Sequence, residues 1–459
     1  VKRKLAQQMS NSENQQILIS KSRVHRLIIV LSLLCLVTSA DIIPGKSLLY
    51  TSFLFVALIT INFTGTELIK STILLFVLNG LMRRLAASDS GYFTSNDVLI
   101  LLPYVPIIVL WIKYRKESRV DNQLMIFLYL VFLFALLNIQ NSPPSITWGI
   151  INLLLAIVLG QISRAFINDD LLAFIARIGL ATSIYIFAQK ISLPYFDLGW
   201  CLNRKRDLII LESCDGSALR LWGTMESAVN MACFLSVCFF LVAFRSGSNI
   251  RIPTRVFQLL ILFVAIFLTG TRTFIFILPL VFLFSAYMFK RISIPKAAFS
   301  ISLVFIGASL LPSLALVFNY QDRWVDRLNI KNLTGDQSLQ DRFFLASSFA
   351  DQVSLKNLLI GDGIGSKSRG LATIDNGFLS LILEIGLPLT LFFLYTILRR
   401  LSSIQNFVNP LVTQCWSACL LLFLANFSFV VFTGSSSIYF WLLMFMIETK
   451  NQPRKFNSL

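Results

Sequence analysis

Charge is scarce in this sequence and histidine is nearly absent. Asp, Glu, Lys and Arg make up 14% of its 459 residues, where a soluble globular protein carries roughly 25%. His25 is the single histidine, and the seven cysteines form no Cys-x-x-Cys pair, so nothing supplies the ligand spacing of a structural zinc site. The glycines at 361, 363 and 365 lack the Gly-x-Gly-x-x-Gly spacing of a dinucleotide loop. No acidic pair stands beside a glycine-rich loop as a divalent-metal site would require. The expectation is therefore metal-independent chemistry with no cofactor. No internal repeat relates the two halves, which weakens a transporter built from duplicated bundles.

What is present is apolar. Hydrophobic residues reach 56%, and mean hydropathy is +0.74. They come in blocks of about 16–22 residues, the length that crosses a ~30 Å hydrocarbon core as a helix. Lipid offers no partner to backbone N–H and C=O groups, so such blocks must be helical. Candidate spans lie near 26–43, 47–63, 67–82, 97–113, 122–139, 145–163, 171–189, 224–244, 256–271, 272–290, 296–317, 375–398, 411–432 and 435–448. The expected fold is all-α: a polytopic integral membrane protein of about 12–14 transmembrane helices with two large extracytoplasmic loops.

Lys and Arg set the expected orientation. With the N-terminus inside, alternate connections carry KYRKESR (113–119), RSGSNIRIPTR (245–255), KRISIPK (290–296) and Arg399-Arg400. The inside total is about 22 cations, against about four in short outside connections (Lys46, Arg83, Arg84 and Arg272). This asymmetry accounts for much of the +17 net charge without nucleic acid, and places both termini in the cytoplasm. The expected organisation is a cytoplasmic tail (1–22), N-terminal helices (23–189), a first outside loop (190–223), central helices (224–317), a second outside loop (318–374), C-terminal helices (375–448) and a cytoplasmic tail (449–459). The first span reads as a retained anchor, because no small-residue cleavage site follows a short apolar core. Five cysteines fall in apolar spans; Cys201 and Cys214 share the first outside loop, where an oxidising compartment would let them pair.

Long loops on a membrane scaffold tend to carry function. The outside loops and span ends gather Arg204, Lys205, Arg206, Arg220, Arg272, Arg323, Arg327, Arg342, Lys367 and Arg369. Arg272 lies in FLTGTRTFIF, in a tight turn between two apolar runs. A membrane-edge Arg without a nearby acid points to an anionic ligand, or to a carboxylate on another helix. Arg323 and Arg327 share one face if DRWVDRL is helical, and also suit local pairing with Asp322 and Asp326. Asp375 stands where the chain enters an apolar run, suited to take a proton and equally suited to cap a helix. Glu384 falls about three turns into the span expected at 375–398.

Three stretches together resemble the O-antigen polymerase and O-antigen ligase superfamily, whose members are integral membrane glycosyltransferases. LRLWGTMESAVNMACFLS (219–236) is similar to the family's Arg-x-x-Gly-Thr-Phe-x-Asn-Pro-Asn, with Glu226, Ser227 and Asn230 departing from it. LTGTRTFIFILPLVF (268–282) matches a Ser-Arg-Thr helix start at Thr271, Arg272 and Thr273. GDGIGSKSRGLATIDNGFLSLILEIG (361–386) resembles Gly-x-Gly, then His-Asn, then nine residues, then Gly-x-x-Gly; Asp375 replaces the histidine and Leu389 the last glycine. The missing histidine favours the polymerase branch over the ligase branch.

The resemblance implies a GT-C-like fold in the plasma (inner) membrane and a polysaccharide polymerase. The donor would be a glycan on polyprenyl diphosphate, and the acceptor a sugar hydroxyl on a second lipid-linked repeat unit. It also implies contact with membrane lipid and with a chain-length regulator protein. In that frame the expected catalytic residues are Asp375, as proton acceptor, and Arg272, as diphosphate clamp. The expected substrate-binding residues are Arg220, Arg323, Arg327, Arg342, Lys367, Arg369, Asn376 and Glu384. The alternatives are a ligase delivering glycan to lipid A core or protein and, from another class, a polysaccharide-lipid flippase.

Overall fold

The computed structural model describes residues 56, 60–86, 98–115, 122–138, 143–166, 168–199, 201, 221–225, 227–245, 252–289, 354–365, 376–403, 409–427, 430–432 and 436–451. All regular structure among the described residues is helical. The helices are α1 (Gly65–Ala86), a 3₁₀ stretch (Val98–Tyr104) running into α2 (Val105–Tyr114), α3 (Asn122–Leu137), α4 (Pro143–Ser163), α5 (Asp169–Ile191), α6 (Ala228–Ala243), α7 (Ile252–Leu268) and α8 (Arg272–Met288). There follow α9 (Leu355–Ile360), α10 (Gly377–Ile385), α11 (Leu387–Ser402), α12 (Pro410–Ala425) and α13 (Ser437–Asn451). The spans expected at 26–43 and 296–317, and most of the second outside loop, lie outside the described residues.

Two helices, Gly65–Leu85 and Asp169–Ile191, are long and apolar enough to cross a membrane, by length and composition; the others give apolar stretches of 10–17 residues among the described residues, such as Gly149–Ser163 of α4. Starts are set locally. Asn168, Ser227 and Asn409 each accept a backbone N–H from the first turn of α5, α6 and α12, satisfying donors that no earlier turn can reach. α6 carries no charge and is buried on nearly every side, packed among α5, α7, α8 and α12. A helix apolar all round belongs in the middle of a bundle. α3 and α7, also apolar, instead turn Ile126, Tyr129, Phe132, Leu133 and Val256, Phe257, Leu260 outward.

Long-range contacts sort the helix ends into two groups. In one, Arg164 after α4 and Arg400 near the end of α11 both pair with Glu448 of α13, with both guanidinium groups over the Phe445 ring. The same group holds Lys113 at the end of α2, which donates to the Phe63 carbonyl before α1, and Gln414 of α12, which donates to the Phe244 carbonyl after α6. The other group joins the C-terminal ends of α1, α3, α5, α7 and α12 to the N-terminal ends of α6, α8 and α13. Through the described helices the chain thus runs back and forth between the two groups.

The stretch expected as one span at 375–398 is two helices, which corrects that reading. Gly386 has φ +79° and ψ 159°, a backbone region essentially restricted to glycine, and Pro388 then opens α11. Nine-residue α10 does not descend through the bundle. Its first amide, on Gly377, donates to the Asn426 carbonyl at the end of α12. Its far end meets the Gly361–Gly365 loop beside Asn138 at the end of α3. Both ends of α10 therefore sit among the helix ends of one group, and the helix lies across them.

Candidate functional site

The group of ends that includes Arg84 holds every described residue of the expected site. Arg272 is the first residue of α8 and half-buried. Its turn is tightly determined: the Gly270 amide donates to the Phe267 carbonyl at 3.0 Å, and the Thr269 hydroxyl donates to the Ile266 carbonyl at 2.6 Å and lies 3.2 Å from the Thr271 hydroxyl. A cation at a helix N-terminus opposes the helix dipole, a cost of about 0.3–1 kcal/mol. The Phe274 and Ile275 amides of the first turn of α8 both donate to the Thr271 carbonyl, at 3.2 and 3.4 Å.

Beside this turn runs the 221–225 segment, tied to it by the Leu221 amide, which donates to the Leu268 carbonyl at 3.5 Å. Two helices, α1 and α5, grip the segment. Arg84, at the end of α1, donates Nε to Asp197 Oδ1 at 2.5 Å, Nη1 to the Met225 carbonyl at 2.7 Å and Nη2 to the Gly223 carbonyl at 2.5 Å. Gln189 of α5 accepts the Gly223 amide at 2.9 Å. Asp197 is fully buried and accepts from Tyr185 at 2.7 Å and from Gln189 at 2.6 Å as well as from Arg84. The Leu81 amide donates to the Thr224 carbonyl at 2.8 Å. Gly223 makes this turn at φ +58°, where an added Cβ would strike Met231 at 2.6 Å.

Four residues beyond Asp197, Cys201 is disulfide-bonded. The other described cysteines, Cys233, Cys238, Cys415 and Cys419, are free and buried. The partner of Cys201 therefore lies outside the described residues, as does the Cys214 expected for it.

The third part is the glycine loop. The Asp362 and Gly363 amides donate to the Leu383 and Glu384 carbonyls at 2.7 and 3.1 Å, capping the C-terminal end of α10. The approach needs glycine on both sides. A Cβ on Gly361 would lie 2.6 Å from the Glu384 backbone, and one on Gly386 would strike the Leu359 carbonyl. The spaced glycines thus serve a helix clamp. Asp362, half-buried in the loop, has its carboxyl held above its ordinary value by burial, against an opposing pull from Lys356.

Asn376 caps α10, its Oδ1 accepting from the Phe378 and Leu379 amides at 3.0 and 3.2 Å. The capping role that Asp375 also suited thus belongs to Asn376. Glu384 is not three turns deep: it is the penultimate residue of α10, buried, 3.3 Å from the Ser380 hydroxyl and level with the glycine clamp. Asp375, Arg220, Arg323, Arg327, Arg342, Lys367 and Arg369 lie outside the described residues. The structure brings Arg272, Asn376 and Glu384 to one group of helix ends. Among the same ends the Asn426 Oδ1 accepts from the Val431 amide, and the Ser436 hydroxyl donates to Asn230 Oδ1 at 3.3 Å. Sequence reasoning passed over Arg84, Asp197, Tyr185 and Gln189. Their signal was weak: an Arg ending one apolar run and an Asp following another.

Among the described residues no cluster of His, Cys, Asp or Glu is arranged to hold a metal ion. Comparison with known protein families and with characterised proteins gives no match.

Proposed function

We propose that the chain is a multi-pass membrane glycosyltransferase, a polysaccharide polymerase that joins polyprenyl-diphosphate-linked repeat units at the outer face of the plasma membrane. The membrane part of this reading rests on the apolar blocks, on the outward apolar faces of α3 and α7, and on the two long apolar helices. The observation that carries the chemistry is the position of Arg272. It heads α8, in a rigid turn, among the helix ends that also hold Glu384 and the glycine clamp.

In this reading Arg272 binds the donor diphosphate. Transfer breaks the bond between the anomeric carbon and the diphosphate oxygen and forms one to the acceptor hydroxyl oxygen. The leaving polyprenyl diphosphate gains negative charge as that bond breaks. A guanidinium held in place before reaction stabilises that charge without reorganising. The acceptor hydroxyl loses its proton to a carboxylate. Asp375 has that role by the sequence pattern, and Glu384 is a buried carboxylate among the same helix ends. The disulfide at Cys201 accords with an oxidising compartment for that side.

The test is purified protein with lipid-linked repeat unit, scored for chain lengthening. Wild type is expected to lengthen chains and Arg272→Ala to lose about 100-fold or more in rate. Full activity of Arg272→Ala overturns the site. The broken helix α10–α11 favours one second reading, a lipid-glycan flippase, because discontinuous helices line transport sites. Loss of the gene would then trap repeat units at the inner face instead of leaving single units at the outer face.

A further inference from the structure

The transfer reaction as proposed leaves one costly feature unused. Arg84 and Asp197 are 113 residues apart in sequence and bury opposite charges at 1% and 0% exposure. Desolvation cancels most of what such a pair contributes to stability, so its presence calls for another reason. Its bonds supply one. The Arg84 fork donates to two carbonyls of a single turn, Gly223 and Met225, as well as to Asp197. Asp197 holds the fork and also holds Gln189, which takes the amide of that same Gly223. A planar guanidinium with fixed donor directions can set two carbonyls and a carboxylate at once, which a lysine cannot. The gripped turn is joined by Leu221 to Leu268, four residues before Arg272.

We propose that Arg84 and Asp197 are positioning residues for the glycosyl transfer: their buried pair locks the Trp222–Met225 turn against the Thr269–Arg272 turn, so that Arg272 holds its place as charge builds on the diphosphate. Neither residue touches substrate, and the inference rests on the polymerase reading above. Gln189 is the second pin of the same lock and adds no net charge.

The test combines hydrogen exchange with kinetics on the purified full chain, using Arg84→Lys and Gln189→Leu. In each variant, exchange of the peptide that contains residues 221–225 should rise about ten-fold or more. In the lengthening assay kcat should fall about 100-fold while KM stays within about two-fold, because a displaced clamp costs the reacting geometry and not the glycan contacts. Unchanged exchange, or a fall in activity that only tracks loss of folded protein, overturns the proposal. If Arg84→Lys does not fold, Gln189→Leu decides by the same two readouts. A wild-type protein that lengthens no chains refutes the reaction, and with it a positioning role in that reaction. Exchange then still decides whether the lock holds the turn.

Discussion

Replacing Gly386 by alanine tests the clamp at the α10–α11 break most directly. At φ +79° and ψ 159° the backbone lies where a side chain is strained, at a cost of about 1–3 kcal/mol. The new Cβ would also strike the Leu359 carbonyl, which belongs to the backbone of α9 and cannot swing aside as a side-chain tip can. Overpacking of this kind adds about 1–3 kcal/mol, so the expected loss is about 2–6 kcal/mol. Gly361→Ala should behave alike, because its Cβ would press on the Glu384 backbone at 2.6 Å from the other side of the same contact. The assay is thermal unfolding of detergent-purified protein, each variant scanned at one rate beside wild type. Gly386→Asn is the control on mechanism. Asparagine tolerates left-handed helical backbone but not this extended positive-φ region, so it should be as damaging as alanine. A melting temperature within a degree or two of wild type for both alanine variants would refute the clamp, and rescue by asparagine would refute the backbone argument.

Three further outcomes are expected. Arg84→Met should destabilise by about 3–5 kcal/mol in chemical or thermal unfolding, because it strands the buried Asp197 charge, while a paired apolar replacement of both residues should cost less. Asp362→Asn should raise stability at neutral pH: the folded carboxyl sits above its ordinary 3.8, so the wild-type protein loses stability as pH rises from about 4 through that raised value, and the variant does not. Unfolding scans across pH should show the two proteins converging below pH ~4. Glu448→Gln leaves Arg164 and Arg400 facing each other over Phe445; because Arg400 is buried and Arg164 and Glu448 keep only partial exposure, the loss should be about 1–3 kcal/mol and should change little in high salt.

Several features were legible in the order of residues. Apolar blocks must become helices where solvent cannot satisfy the backbone, and the structure has helices over most of the expected blocks it describes. Asn409-Pro410 and Asn168-Asp169 mark their helix starts by local hydrogen-bonding chemistry alone. The turn at Arg272 was equally visible, because Gly270 between two apolar runs leaves little other choice. The run from 375 to 398 misled for a reason just as physical. Hydropathy is continuous across Gly386-Leu387-Pro388, and one glycine does not by itself break a helix.

Local sequence determined where the described helices form, since a residue's preference for apolar surroundings and its capping chemistry need no distant partner. Tertiary structure alone decided the Arg84–Asp197 lock, the break at Gly386 and the placing of Glu384 beside the glycine loop. Each depends on two backbones or two charges far apart in the chain meeting once water has been excluded. A buried charge selects its partner by geometry, and that geometry exists only after the helices have packed.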